Sequence, residues 1–354
     1  MTPATRYSIL DRSRTRHGHT HAEALRDTVQ LAIDVEKLGY HRFWVSEHHS
    51  VPGIAGSAPT VLAAAVAAAT SRIRVGTGGV MLPNHQPLVV AEQFGVLESL
   101  FPGRIDMGLG RSVGFTNGIR RALGHDKDDA DRFADQLTEL LGYFTGDQAA
   151  HPQVHARPAE GLRVPAFVLA TGAGAATAAE LGLPLVIAPV HGEQRLLDAI
   201  GDYRDRFRPS EQSPRPYVVI ASTIAVAETT EQARRLLVPE AWSTAYSRAH
   251  GVFPPLTPAE DVLALDLTDR ERAQFDDAMR GHLHGTAEEV AAALRHLVEG
   301  TSADEVLVTT STFDRAGLLD SHRRLAELTG IAARPGTAEG PPSAGSPEEV
   351  RRIA

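Results

Sequence analysis

The run Phe43-Trp44-Val45-Ser46-Glu47-His48-His49 places a carboxylate and two imidazoles directly after an apolar stretch. An unperturbed histidine titrates near neutral pH, so this cluster suits proton transfer. A loop of mostly small residues follows, Val51-Pro52-Gly53-Ile54-Ala55-Gly56-Ser57, and then an Ala-rich segment. A buried strand that delivers ionisable side chains at its C-terminal end, just before a helix, is how a (β/α)8 barrel assembles an active site. His17-Gly18-His19 has the spacing of a two-histidine metal motif. With His191 and Asp314 after later strands it keeps a metal-dependent hydrolase barrel open as a competing chemistry. The basic stretch Arg12-Ser13-Arg14-Thr15-Arg16 separates those histidines from the first apolar strand and sets them out on a loop. That stretch reads as a solvated loop, or as one that attracts an anionic substrate or a cofactor phosphate.

The elements needed to position these residues are legible as alternating apolar strands and amphipathic helices. Strands are expected at Tyr7–Asp11, His41–Glu47, Ile73–Gly79, Arg104–Gly110, Val164–Ala170, Leu185–Val190, Tyr217–Val226 and Glu305–Thr309. Helices are expected after each, the first introduced by the capping box Thr20-His21-Ala22-Glu23 and stopped at Gly39. The later strands, such as Leu185-Val186-Ile187 and Val306-Leu307-Val308, are continuous apolar runs, which suit parallel strands covered on both faces. Eight β–α alternations favour a closed barrel over an open doubly wound sheet. The expected fold is therefore an α/β TIM-type barrel over residues 1–330, with an irregular insertion at 240–285 between strands seven and eight that could act as a lid. Residues 331–354 are rich in Pro, Gly, Ala and Ser and read as a flexible tail.

Composition narrows the function further. The chain has 354 residues, 42% of them hydrophobic, enough for a large core. A formal net charge of −9 argues against a nucleic-acid partner held by phosphate contacts. There is no cysteine, which removes disulfides, thiolate ligands and Cys nucleophiles. No apolar stretch is long enough to span a bilayer, and the N-terminal residues lack a signal-peptide pattern. A cytoplasmic protein with no membrane partner is expected.

Four blocks carry a resemblance: Leu38–His49, Ser71-Arg72-Ile73-Arg74-Val75-Gly76-Thr77-Gly78-Gly79-Val80-Met81-Leu82-Pro83, Pro87–Gln93, and Pro102-Gly103-Arg104-Ile105-Asp106-Met107-Gly108-Leu109-Gly110-Arg111. In this order they resemble the bacterial luciferase-like flavin-dependent monooxygenases. The resemblance implies a barrel that takes reduced FMN as a dissociable co-substrate, commonly from a separate flavin reductase. The reduced flavin reacts with O2 to a C4a-(hydro)peroxide that oxygenates a medium-sized organic substrate, in some members during secondary-metabolite tailoring. It assigns His48 as the general acid/base. Glu47 is then its tautomer-fixing partner, or packs elsewhere. Gly78 and Gly79 lie against the flavin ring, where the family often has a cis peptide. Arg111 contacts the flavin phosphate, the structural alternative being an ion pair with Asp128 or Asp131. Thr171, Gly172 and Gly174 fall near the phosphate, and Trp44, Phe115 and the insertion on the substrate side. Family members often form homodimers through the side of the barrel that carries the Ala-rich second helix.

The sequence also departs from the family. The segment Ala170-Thr171-Gly172-Ala173-Gly174 is short and poor in hydroxyls where the family has a Ser-rich phosphate loop, which fits a flavin that is borrowed and returned. Gly110 replaces the reactive cysteine of luciferase. Besides the hydrolase, two readings compete: a non-catalytic flavin-binding barrel, and a deazaflavin F420-dependent oxidoreductase, which oxygen dependence would separate from a monooxygenase.

Overall fold

The computed structural model describes residues 5–170, 173–189 and 192–331. The strands are β1 (Arg6–Asp11), β2 (Arg42–Val45), β3 (Arg74–Thr77), β4 (Val80–Met81), β5 (Ile105–Gly110), β6 (Ala166–Leu169), β7 (Leu185–Ile187), β8 (Val218–Ser222), β9 (Ile224–Val226), β10 (Leu283–Gly285) and β11 (Glu305–Val308). All but β9 and β10 form one parallel sheet in the order β3-β2-β1-β11-β8-β7-β6-β5-β4, and pairing of β3 with β5 closes it into a barrel. Since β3 and β4 are two halves of one barrel strand, broken at Gly78-Gly79, the barrel has eight strands, as expected from the alternation. The seventh expected strand also divides: β8 stays in the barrel, while β9 leaves it and pairs with β10.

The helices are α1 (His21–Lys37), α2 (Pro59–Ala69), α3 (Pro87–Leu100), α4 (Asn117–Leu123), α5 (Phe133–Thr145), α6 (Ala173–Glu180), α7 (Glu193–Arg206), α8 (Thr230–His250), α9 (Ala259–Leu263), α10 (Asp269–Met279), α11 (Ala287–Thr301) and α12 (Arg315–Thr329). Thr20 and Glu23 form the expected capping box on α1. The insertion lies where expected, but it is helical rather than irregular. Helix α8 runs through Pro239 to His250, and α9 and α10 pack on it around Leu237, Val238, Trp242, Val262, Phe275 and Met279. Among the described residues no helix is long and apolar enough to cross a membrane. Residues 332–354, which contain most of the expected tail, lie outside the described residues.

Side chains at alternate strand positions fill the barrel in layers. Leu10, Trp44, Phe167, Val186, Val219 and Leu307 form an apolar middle layer. Below it, at the N-terminal end, Arg42 lies between Asp106 (2.7 Å) and Glu305 (3.1 Å), and Ser8 and Tyr217 hydrogen-bond Glu305. Removing Arg42 would leave the fully buried Glu305 without a cation and Asp106 with Arg74 alone, at a cost of about 3–5 kcal/mol. This paired and apolar plug seals the bottom, so the interior is open to ligands only at the C-terminal mouth.

Candidate active site

After β2 the chain runs through Ser46, Glu47 and His48 without regular secondary structure. His48 and Glu47 have different hydrogen-bond partners. Ser46 Oγ lies 3.2 Å from His48 Nδ1, and the His48 backbone N–H donates to the Gly56 carbonyl at 2.8 Å. A hydroxyl can donate or accept, so Ser46 can serve either tautomer and leaves Nε2 as the nitrogen available to a ligand. Burial, reinforced by the nearby Arg12 and Arg14 guanidiniums, lowers the His48 pKa to about 4. His48 is thus a neutral imidazole at pH 7.

Glu47 does not hydrogen-bond His48; of its two expected readings the structure shows the one in which it packs elsewhere. One carboxylate oxygen accepts from His49 Nε2 (2.7 Å) and His85 Nε2 (2.9 Å), the other from the Met81 backbone N–H (2.9 Å). Burial raises its pKa, but these hydrogen bonds and the His85 charge outweigh it and hold the carboxyl near 2. Glu47 thereby fastens β4 to the β2 end. Its oxygens and the two imidazole nitrogens lie within 4.8 Å of one another, a spacing that a metal ion could use, although hydrogen bonds already satisfy the carboxylate.

At the end of β2 the neighbouring strand turns glycine-rich: the Gly78 N–H donates to the Val45 carbonyl at 2.7 Å. The Gly78–Gly79 peptide is cis. A Cβ on Gly78 would come 2.7 Å from Leu10 Cδ1 and 3.2 Å from Trp44 Cε3, so those side chains support this backbone from below. At Gly110 a Cβ would meet nothing closer than the Val80 carbonyl at 4.0 Å, leaving open space against the β5 backbone. Trp44 is not on the substrate side, as expected, but wholly buried in the middle layer, donating Nε1–H to Asp106 at 3.2 Å.

The insertion forms a roof. The Gly53 N–H donates to the Phe253 carbonyl at 2.9 Å, and this contact admits no side chain at Gly53. Phe253 meets Phe115 at 5.9 Å between ring centroids, while Arg14 Cζ lies 6.0 Å from the Phe253 ring. Arg14, Phe253 and Phe115 thus join the loops after β1 and β5, which flank the His48 loop. Sequence reasoning missed two titratable residues here, Glu240 and His282. Arg12, from the basic stretch, pairs with Glu240 of α8 and donates to the Thr309 carbonyl, while Glu240 also accepts from the Ser311 N–H at 3.1 Å. Half-buried His282, its pKa lowered mainly by desolvation, feels both Glu240 and Arg12. Glu240 and His282 gave no signal because they belong to a segment that looked irregular.

The remaining expected residues are dispersed around the rim. Arg111 forms an exposed pair with Asp131 at 3.3 Å, one of its two structural alternatives. Thr171 and Gly172 lie outside the described residues. Gly174 is in the first turn of α6, where a Cβ would crowd Ala170 at 2.8 Å. The metal-motif histidines do not converge: His17 is exposed, His19 pairs with Glu23, and Asp314 caps α12. His191 lies outside the described residues.

Residues 5–305 match the family described as luciferase-like monooxygenase. The chain belongs to this family. A luciferase-like monooxygenase of Escherichia coli (strain K12) is 36% identical over 321 residues, covering 89% of this chain and 94% of that one. N-acetyl-S-alkylcysteine monooxygenase of Bacillus subtilis (strain 168) is 38% identical over 239 residues, 66% of this chain and 71% of that enzyme. The crystal structure of apo-MsnO8 superposes with a TM-score of 0.82 at 29% identity, covering 93% of this chain and 100% of that one. The protein is an oxidoreductase of the flavin monooxygenase type, and membership in this family removes the hydrolase reading.

Proposed function

We propose that this luciferase-like monooxygenase takes reduced FMN as a dissociable co-substrate from a separate flavin reductase, consumes O2, and oxygenates a medium-sized organic substrate. The observation that carries the reading is the neutral, Ser46-held His48 after β2, next to the barrel strand that is broken at Gly78–Gly79. Gly78, Gly79 and Gly110 would lie along the ring. The N-terminal turn of α6, with Gly174, would offer backbone N–H groups to the phosphate, and Thr171 and Gly172, which precede it in the sequence, are assigned to the same role. Arg111 would join them by giving up Asp131, an exposed pair worth little in water. Reduced flavin supplies the electrons that activate O2 for transfer of one oxygen atom.

The chain's own residues have three tasks. His48 accepts or returns a proton at Nε2, with Ser46 relaying at Nδ1. Phe115 and Phe253 exclude water from the mouth. Glu47, through Met81, keeps the glycine wall in place. The protein would work as a homodimer through α2 and α3.

The test is rapid mixing of anaerobic protein and reduced FMN with oxygenated buffer, following the flavin's visible absorbance. Oxidised flavin should return more slowly than in a protein-free control, and reduced F420 should give no oxygen consumption. Equal rates with and without protein would overturn the reading. N-acetyl-S-benzylcysteine is a reasonable first substrate, because the Bacillus subtilis relative acts on N-acetyl-S-alkylcysteines.

A further inference from the structure

The mouth holds two guanidiniums and one facing carboxylate. Glu240 pairs with Arg12. Arg14 is different: its Nη2 donates to neutral acceptors, Ser243 Oγ and the Pro254 carbonyl at 3.3 Å. Among the described residues it has no carboxylate in salt-bridge contact, and its buried Nε–H has no hydrogen-bond partner. Burial lowers its pKa to about 10, with Glu240 opposing and Arg12 assisting, so it remains charged at pH 7. The other acids have partners of their own: Asp106 and Glu305 are committed to Arg42 and Arg74 at the far end, Glu47 to His49, His85 and the Met81 N–H, and Asp11 accepts from the Ser13 N–H at 2.6 Å. Arg14 is therefore a guanidinium of the mouth that no carboxylate pairs. Arg14 is nevertheless only partly buried, so a ligand can reach it.

Such a desolvated, unpaired cation is costly unless an anion completes it. The flavin phosphate is poorly placed to do so. The α6 turn that would hold it follows β6, and in the closed order β1-β2-β3-β5-β6-β7-β8-β11 strand β6 stands directly opposite β1, which carries Arg14. Phe253 and Phe115 provide an apolar surface beside the guanidinium.

We infer that Arg14 is a specificity residue that selects an organic acid as substrate, its guanidinium binding the carboxylate while the apolar body lies beneath Phe253 and Phe115. This rests on the monooxygenase reading for the substrate's fate, but the binding can be tested without turnover. Calorimetric titration of the full-length protein with 4-phenylbutyrate and with 4-phenylbutyramide compares an acid with its neutral near-isostere. The acid should bind at least tenfold more tightly. Arg14→Gln should abolish that preference and Arg14→Lys should restore part of it, with both variants melting cooperatively and binding reduced FMN as the wild type does. No preference for the acid, including no detectable binding of either probe, overturns the inference, as does a preference that survives in Arg14→Gln. Loss of FMN binding in Arg14→Gln without an acid preference in the wild type would instead assign Arg14 to the flavin. A flavin experiment that fails while the acid preference holds would overturn the monooxygenase proposal alone.

Discussion

At the scale of single residues, the decisive quantity is the protonation state of His48. Desolvation and two neighbouring guanidiniums place its pKa near 4, so at working pH it can take up a proton but holds none to give. His48→Ala should lower turnover about 10²–10⁴-fold, the usual contribution of a general base, with reduced-FMN affinity little changed. The sign of the pH dependence follows from the depressed pKa. His48-dependent turnover should be flat through neutrality and fall only as pH drops through about 4. Removing the Arg14 charge relieves repulsion on the imidazolium and raises that pKa, so the acid limb in Arg14→Gln should move toward neutral pH. An unmoved limb in pH-rate profiles of wild type and variant would show that another group titrates. The histidine itself was legible from its place after an apolar run. Its charge state was not, because Arg12 and Arg14 are far from it in sequence and reach it only through the closed barrel.

At the scale of elements, the break between β3 and β4 shows how the glycine wall is supported. β3 pairs with β5 at Ile105 and Asp106, and β4 at Leu109 and Gly110, leaving Met107 and Gly108 between the two ladders. Thr77 fills the gap: its hydroxyl donates to the Gly108 carbonyl at 2.7 Å and accepts from the Gly108 N–H at 3.2 Å. Thr77→Val keeps the shape and strands both groups, each at a cost of about 1–3 kcal/mol, which denaturant unfolding should register, while Thr77→Ser should restore most of the loss. A Thr77→Val protein as stable as the wild type would mean that water replaces the hydroxyl. The sequence announced glycines here but not the threonine, since its partner lies 31 residues on. The insertion failed to read as helical for a local reason. Pro239 removes an N–H from the middle of α8, and Pro254-Pro255 with alternating charges masks the rest. Two available signals pointed the other way, the capping boxes Thr229–Gln232 and Thr268–Glu271, which start α8 and α10. The barrel strands were legible because a strand buried on both faces needs only a continuous apolar run.

At the scale of the whole molecule, one outer side is left apolar. On α3, Val89, Val96 and Leu100 are 45%, 48% and 64% exposed and recur at helical spacing with Gln93. On the adjoining α2, Val61 is 69% exposed, and Ala65 and Ala68 continue its stripe. Thr60 Oγ1 donates to Gln93 Oε1 at 3.0 Å, which ties the two stripes into one patch. Scattered exposed valines need no explanation, but a contiguous patch on a chain of net charge −9 does. Like charge discourages indiscriminate association, so a partner must gain by burying this patch specifically. The proposed second copy would do so, with small alanine side chains that let the helices approach closely. Val61→Glu with Val96→Glu would place two carboxylates on the patch and, by two-fold symmetry, four at the interface. Sedimentation equilibrium should then shift from dimer to monomer, with the circular dichroism spectrum and reduced-FMN affinity retained, because the mouth is built within one chain. A variant that remains dimeric would move the interface elsewhere, and a wild type that sediments as a monomer would remove it.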